Sequence, residues 1–153
     1  MATPTSTTGL IEIWTDGSCK GNPGPGGWGA IIRSGGDEQE LFGADRQTTN
    51  NIMEMTGAMK ALEATPEGSK IRLTTDSQYV INGITKWING WKKKGWKKAD
   101  GNPVLNQEVW KALDQATSKR KVEWVWVKGH AGHEENERVD DLAREAIEKV
   151  LGL

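Results

Sequence analysis

Four carboxylic acids and a histidine pair could do chemistry in this sequence. Asp16 closes one alternating apolar run and Asp76 closes another; Glu54 opens a helical pattern and Asp140 lies early in the last one, beside Asp141. His130 and His133 sit in a glycine-bearing stretch just ahead of that last pattern. If the runs ending at Asp16 and Asp76 are neighbouring strands, both carboxylates leave the sheet at one edge, where sites of mixed and parallel sheets lie. Carboxylates gathered that closely repel one another. A set of oxygen ligands then calls for a hard divalent cation, Mg²⁺ or Mn²⁺, rather than zinc.

Each acid also fits a local role. Asp16 before Gly17 fits a turn, Glu54 three residues after Asn51 fits a capping box, Asp76 before Ser77 fits a helix cap, and Asp140 fits an exposed, acid-rich helix. His130 and His133, as H-x-x-H, have the spacing of a zinc pair but neither thiolates nor a third histidine to complete it.

The elements that must position these residues follow from periodicity. Residues 10–16 alternate as a strand; a second strand is expected over 28–33 and a third near 38–44, joined as an antiparallel meander. Met55, Met59 and Leu62 lie on one helical face, so 51–64 reads as a helix ended by Pro66 and Gly68. A fourth strand (70–75), a helix to about 87, a loop over 89–103, a helix over 104–117, a fifth strand (121–127) and a helix over 135–150 follow. This order predicts an α/β fold, a mixed sheet with helices on its faces. Residues 1–9 read as a disordered lead and 10–153 as one domain.

The stretch Gly24-Pro-Gly-Gly-Trp-Gly29 formally matches G-x-G-x-x-G. A dinucleotide site needs that pattern to open a helix, and here a strand pattern follows. The expectation is instead a hairpin whose side-chain-free backbone lies open to a polyanion or sugar.

Composition narrows the class. No apolar run is long enough for a spanning helix, the N-terminus has no signal-peptide pattern, and the lone Cys19 excludes an internal disulfide. A cytoplasmic address follows by default. The net charge of −1 disfavours a basic nucleic-acid coat, but it hides a division. Between residues 86 and 98 stand six lysines and no acid, interleaved with Trp87, Trp91 and Trp96, whereas residues 134–148 hold seven acids against two arginines. Lysines meet phosphates and tryptophan faces stack on sugars or bases, so the basic stretch reads as a nucleic-acid surface. Eight tryptophans are costly to use at random, and Trp14, Trp124 and Trp126 read as core.

Five strings together carry a resemblance. TDGSCKGNPGPGGWGA (15–30), TNNIME (49–54), TDSQY (75–79), WKKKGW (91–96) and VKGHAGH (127–133) with NERVD (136–140) resemble, in order, bacterial-type ribonuclease H, type 1. The resemblance covers about residues 10–150. It implies a five-stranded mixed sheet (antiparallel meander plus parallel strands) flanked by helices, in a monomer that cleaves the RNA strand of RNA–DNA hybrids. It implies metal-binding carboxylates at Asp16, Glu54, Asp76 and Asp140, with His130 assisting proton transfer or product release. The implied mechanism is two-metal in-line hydrolysis with Mg²⁺ or Mn²⁺. On the mechanism the resemblance implies, Asp16 would bridge both ions, one of which would activate the attacking water and the other stabilise the leaving 3′-oxygen, to leave 5′-phosphate and 3′-hydroxyl ends.

The same resemblance implies RNA-strand contacts at Asn22, Asn51, Gln78 and the exposed backbone of Gly17, Ser18 and Cys19. It implies a DNA-strand channel by Trp87 and Trp110, with Thr49 and Asn106 at a phosphate. The basic protrusion corresponds to Lys92, Lys93, Lys94, Trp96, Lys97 and Lys98. Ile52 and Leu105 stand where basic residues are expected. A non-catalytic hybrid-binding module on the same fold would not need the acids.

Overall fold

A computed structural model describes residues 9–129 and 133–153. Five strands form one sheet: β1 (Leu10–Cys19), β2 (Gly24–Ser34), β3 (Asp37–Thr48), β4 (Lys70–Thr75) and β5 (Lys121–Trp126), in the order β3-β2-β1-β4-β5. β1 to β3 are antiparallel, and β4 and β5 join parallel to β1. The helices are α1 (Asn50–Glu63), α2 (Gln78–Asn82), α3 (Ile88–Lys93), α4 (Gln107–Ser118) and α5 (Glu134–Leu151), with a π-helical turn at Gly83–Trp87 joining α2 to α3. The mixed sheet flanked by helices is the fold class expected.

Alternation on the strands builds the core. Ile11, Ile13, Ala30, Ile32, Ile71 and Leu73 are buried with Met55, Ala58 and Leu62 of α1 and Trp110 and Leu113 of α4. The opposite face of β2 takes α5. Gly27 and Gly29, two residues apart and so on one face, lie against Ala143, Ala146, Val139 and Leu142 of that helix. A side chain at either glycine would collide with helix backbone.

Four expectations change. First, the glycine stretch is itself strand: Gly24, Gly26, Gly27 and Gly29 are buried, and residues 20–23 form the exposed turn. Gly27 and Gly29 admit α5, and Gly24 and Gly26 pack on Lys20 and on Thr48, Ser18 and Met53, rather than leaving backbone open to a ligand. Second, β3 reaches Thr48, because Gly43, Ala44 and Asp45 keep pairing with β2. Third, the helix expected to stop near 87 continues to Lys93, since Ile84, Ile88 and Trp91 keep an apolar face against the core until Gly95 turns the chain at φ +69°. The first third of the expected loop, residues 89–93, is therefore helix. Fourth, α4 starts at Gln107 rather than 104, because Asn106 stands in the left-handed region (φ +61°).

The tryptophans divide by position along their strands. Trp124 packs against the core. Trp14 is half-buried beneath the Arg33 guanidinium, 4.7 Å from its ring centroid, and Trp126 is 44% exposed. Trp126 is thus not core, being two residues beyond Trp124 where the strand leaves the sheet.

Candidate active site

Parallel pairing of β1 with β4 sets Asp16 and Asp76 near the same ends of neighbouring strands. α1 crosses this edge with its first turns against Gly17, where a Cβ would meet the Glu54 nitrogen at 2.6 Å. Carboxylate oxygens of Asp16, Glu54 and Asp76 consequently lie within 4.8 Å of one another.

The local roles considered for these acids fall to their neighbours. Asp16 is strand, not turn, and its Oδ1 accepts the Gly17 N–H at 2.9 Å. Thr49 caps α1, accepting the Ile52 N–H at 3.2 Å, so Glu54 is no part of a capping box. Ser77 caps α2, accepting the Val80 N–H at 3.1 Å, which leaves the Asp76 carboxylate for the cluster. In each helix the cap stands outside the acid.

Burial and repulsion set the electrostatics. Desolvation, with the charges of Asp76 and Asp140, pushes the Asp16 carboxyl up to about 8. Desolvation and the charges of Asp16 and Asp76 push Glu54 well above the carboxylate range. Glu54 Oε1 is buried without a hydrogen-bond partner. A buried acid left unpaired is costly, and a cation relieves both that cost and the repulsion. The donor set, oxygen throughout, fits a divalent metal.

Asp140 lies outside the three-acid cluster but close enough for its charge to raise Asp16. Its Oδ2 pairs with Arg144 at 3.0 Å, one turn along α5. His130 lies outside the described residues, and His133 is exposed at the start of α5.

The ribonuclease H family model, described as RNase H, matches residues 9–148. The chain belongs to the ribonuclease H family. A ribonuclease H of Hyphomonas neptunium is 59% identical over 143 residues, spanning 94% of this chain and 95% of the relative. One from Novosphingobium aromaticivorans is 60% identical over 136 residues, spanning 89% and 95%. Among solved structures, LC9-RNase H1, a type 1 RNase H with the type 2 active-site motif, superposes with a TM-score of 0.83 at 32% identity, covering 97% of this chain and 75% of that one. LC11-RNase H1 in complex with RNA/DNA hybrid gives 0.66 at 27% identity, covering 92% and 99%.

Around the ribonuclease H acid cluster, the nucleic-acid residues distribute unevenly. Asn51 is half-buried on the first turn of α1 and Gln78 is exposed at the start of α2. Asn22 is exposed, but its Oδ1 already accepts the Asn50 N–H at 2.8 Å, tying the β1–β2 turn to α1. Ser18 and Cys19 are half-buried, and the Cys19 thiol donates to the Gly21 carbonyl at 2.9 Å. Gly17, expected to offer exposed backbone, is buried under α1.

A further correction concerns the DNA-strand channel. Trp87 is 41% exposed and available to a ligand, but Trp110 is wholly buried, so no strand can touch it. Trp110 instead supports Tyr79, donating from Nε1 to its hydroxyl at 3.2 Å; Asn106 Nδ2 donates to the same oxygen at 3.1 Å. Tyr79 is therefore the hub between Trp87, Asn106 and Trp110. In the basic protrusion, Lys92, Lys93, Lys94, Lys97 and Lys98 are all exposed, and Lys92 is paired with Asp114 at 2.7 Å. Ile52 is half-buried and Leu105 is 71% exposed.

Sequence reasoning missed two neighbours of Asp76. Trp126 donates its indole N–H to the Asp76 carbonyl at 3.0 Å. Gly129 passes so close that a Cβ there would lie 2.9 Å from Asp76 Oδ2. The sequence signal for Trp126 is its place at the end of the alternating KVEWVWV run, on the face of Trp124 but where the strand runs out toward Asp76.

Proposed function

We propose that this chain is a metal-dependent endonuclease that hydrolyses the RNA strand of RNA–DNA hybrids, leaving 5′-phosphate and 3′-hydroxyl ends. One observation carries the reading: three carboxylates within 4.8 Å, two of them buried, with Glu54 Oε1 unpartnered. Such an arrangement is costly for a protein that only binds a polyanion and useful for one that must hold cations beside a phosphate. The solved LC11-RNase H1 complex with RNA/DNA hybrid supports the substrate class.

In this reading Asp16, Glu54, Asp76 and Asp140 hold two divalent ions, Mg²⁺ with Mn²⁺ as substitute. When bound, such ions lower the pKa of the attacking water and stabilise the leaving oxygen. The chain's own part is to orient and exclude. Asp16 is held by the Gly17 N–H, and Asp76 is held through its carbonyl by Trp126. Asn51 and Gln78 face the RNA strand, whose 2′-hydroxyls distinguish it from DNA. Trp87 with Lys93, Lys94, Lys97 and Lys98 carries the DNA strand, with Thr49 and Asn106 at a phosphate. His130 moves a proton or helps release product. The protein acts as a monomer in the cytoplasm through one catalytic domain, residues 10–153. No helix among the described residues is long and apolar enough to cross a membrane.

The test uses end-labelled hybrid with Mg²⁺ and then with EDTA. Cleavage confined to the RNA strand, abolished by EDTA and by Asp16→Asn while hybrid binding persists, is expected. Turnover retained in Asp16→Asn refutes the assignment.

A further inference from the structure

The basic arm is fastened to the body along one face of α4. Trp91 packs on Trp110, with ring centroids 5.4 Å apart, and Lys111 Nζ lies 5.4 Å from the centre of the Trp96 ring. Three residues beyond Lys111, Asp114 takes Lys92 Nζ at 2.7 Å, with its own side chain only 23% exposed. Trp110, Lys111 and Asp114 thus meet Trp91, Trp96 and Lys92 respectively.

Lys92, paired with Asp114, stands apart from the three lysines that line the arm's groove. Lys94, Lys97 and Lys98, with Trp87 and Trp91, line a groove of about 270 Å³ that Lys92 does not enter. The six lysines are therefore not equivalent: Lys92 is tied to α4 at 2.7 Å, whereas Lys98 pairs only with its near neighbour Asp100 at 3.9 Å and Lys94 and Lys97 line the groove without an ion pair among the described residues.

We propose that Lys92 is a strut rather than a phosphate contact, and that Asp114 is a positioning residue that sets the basic groove at its working angle. This rests on the hybrid-cleaving reading above. Its consequence runs against simple electrostatics. Removing an acid beside a polyanion site ordinarily strengthens binding, since like charge repels. If Asp114 positions the groove, removing it weakens binding.

The experiment measures hybrid affinity against salt, and KM and kcat for cleavage, in wild type, Asp114→Asn, Lys92→Met, the double variant and the charge swap Lys92→Asp/Asp114→Lys. We expect Asp114→Asn and Lys92→Met each to raise Kd and KM by about three- to fivefold, the scale of a part-exposed ion pair, with kcat unchanged. The double variant should be no worse than either single one, and the swap should recover most of the loss. The salt slope of Lys92→Met should stay that of wild type.

Tighter or unchanged binding in Asp114→Asn overturns the proposal. So does a slope reduced by about 0.9 in Lys92→Met, the signature of one lost phosphate contact on duplex DNA. If Asp114→Asn folds poorly, Lys92→Met and the swap still decide. A wild-type chain that leaves hybrid uncut refutes the functional reading and this inference with it. Normal wild-type cleavage with wild-type-like variants refutes the inference alone.

Discussion

The Cα of Gly83 rests directly on the indole of Trp110, so close that a methyl group there would overlap the ring. Gly83 opens the π-helical turn between α2 and α3, and Trp110 is wholly buried. This contact is where the helix leading away from Asp76 is seated on the core. Gly83→Ala should therefore cost about 1–3 kcal/mol or more, as overpacking does. Urea or thermal unfolding reads it, and wild-type stability would show that the ring can move aside.

Gly129 makes the opposite kind of approach. The atom nearest a Cβ there is the end of the Asp76 side chain, at 2.9 Å, which can shift without disturbing backbone. Gly129→Ala should keep a near-wild-type melting temperature without metal, while weakening the stabilisation that Mg²⁺ provides. Equal Mg²⁺ responses in the two proteins would count against it.

The pH dependence of stability has a definite sign. Asp16 titrates near 8 in the folded chain, against an ordinary 3.8, and Glu54 is raised too. The native state binds these protons more tightly than the unfolded chain does, so their contribution is complete below about pH 4 and is lost as pH rises toward 8. Without metal, the melting temperature should fall across that window. Asp16→Asn should flatten the fall, and saturating Mg²⁺ should oppose it, because the ion binds the deprotonated native site. Parallel curves in all three conditions would refute a strained acid cluster.

Trp126 reports on the same site from the strand side. Its N–H holds the Asp76 carbonyl at 3.0 Å although the ring is 44% exposed. Trp126→Phe keeps much of the ring's packing and removes the donor. It should lower kcat several-fold and leave KM for hybrid near wild type, at a stability cost of about 1 kcal/mol. A change confined to KM would show that the indole acts on substrate instead.

Much of this protein is written locally. The alternation that ends at Asp16 and at Asp76, the Met55–Met59–Leu62 face and the separation of basic from acidic segments are all readable from sequence, because each reflects the period of a single element. Element ends were less legible. β3 runs on because β2 pairs with it, and the helix reaches Lys93 because a distant core receives Ile88 and Trp91.

What only the tertiary structure decided is which residues share a point in space. Parallel pairing of β1 with β4 and the seating of α1 on Gly17 leave Glu54 Oε1 buried beside Asp16 and Asp76. Folding also divides residues of one type among different tasks. Trp110 is sealed inside while Trp87 stays open, and Lys92 is spent on Asp114 while Lys94 lines the groove. Sequence by itself determined the elements and the chemical types they carry, since period and side-chain chemistry are local. Partners came from long-range packing, where a contact depends on register and on the helix lying against it.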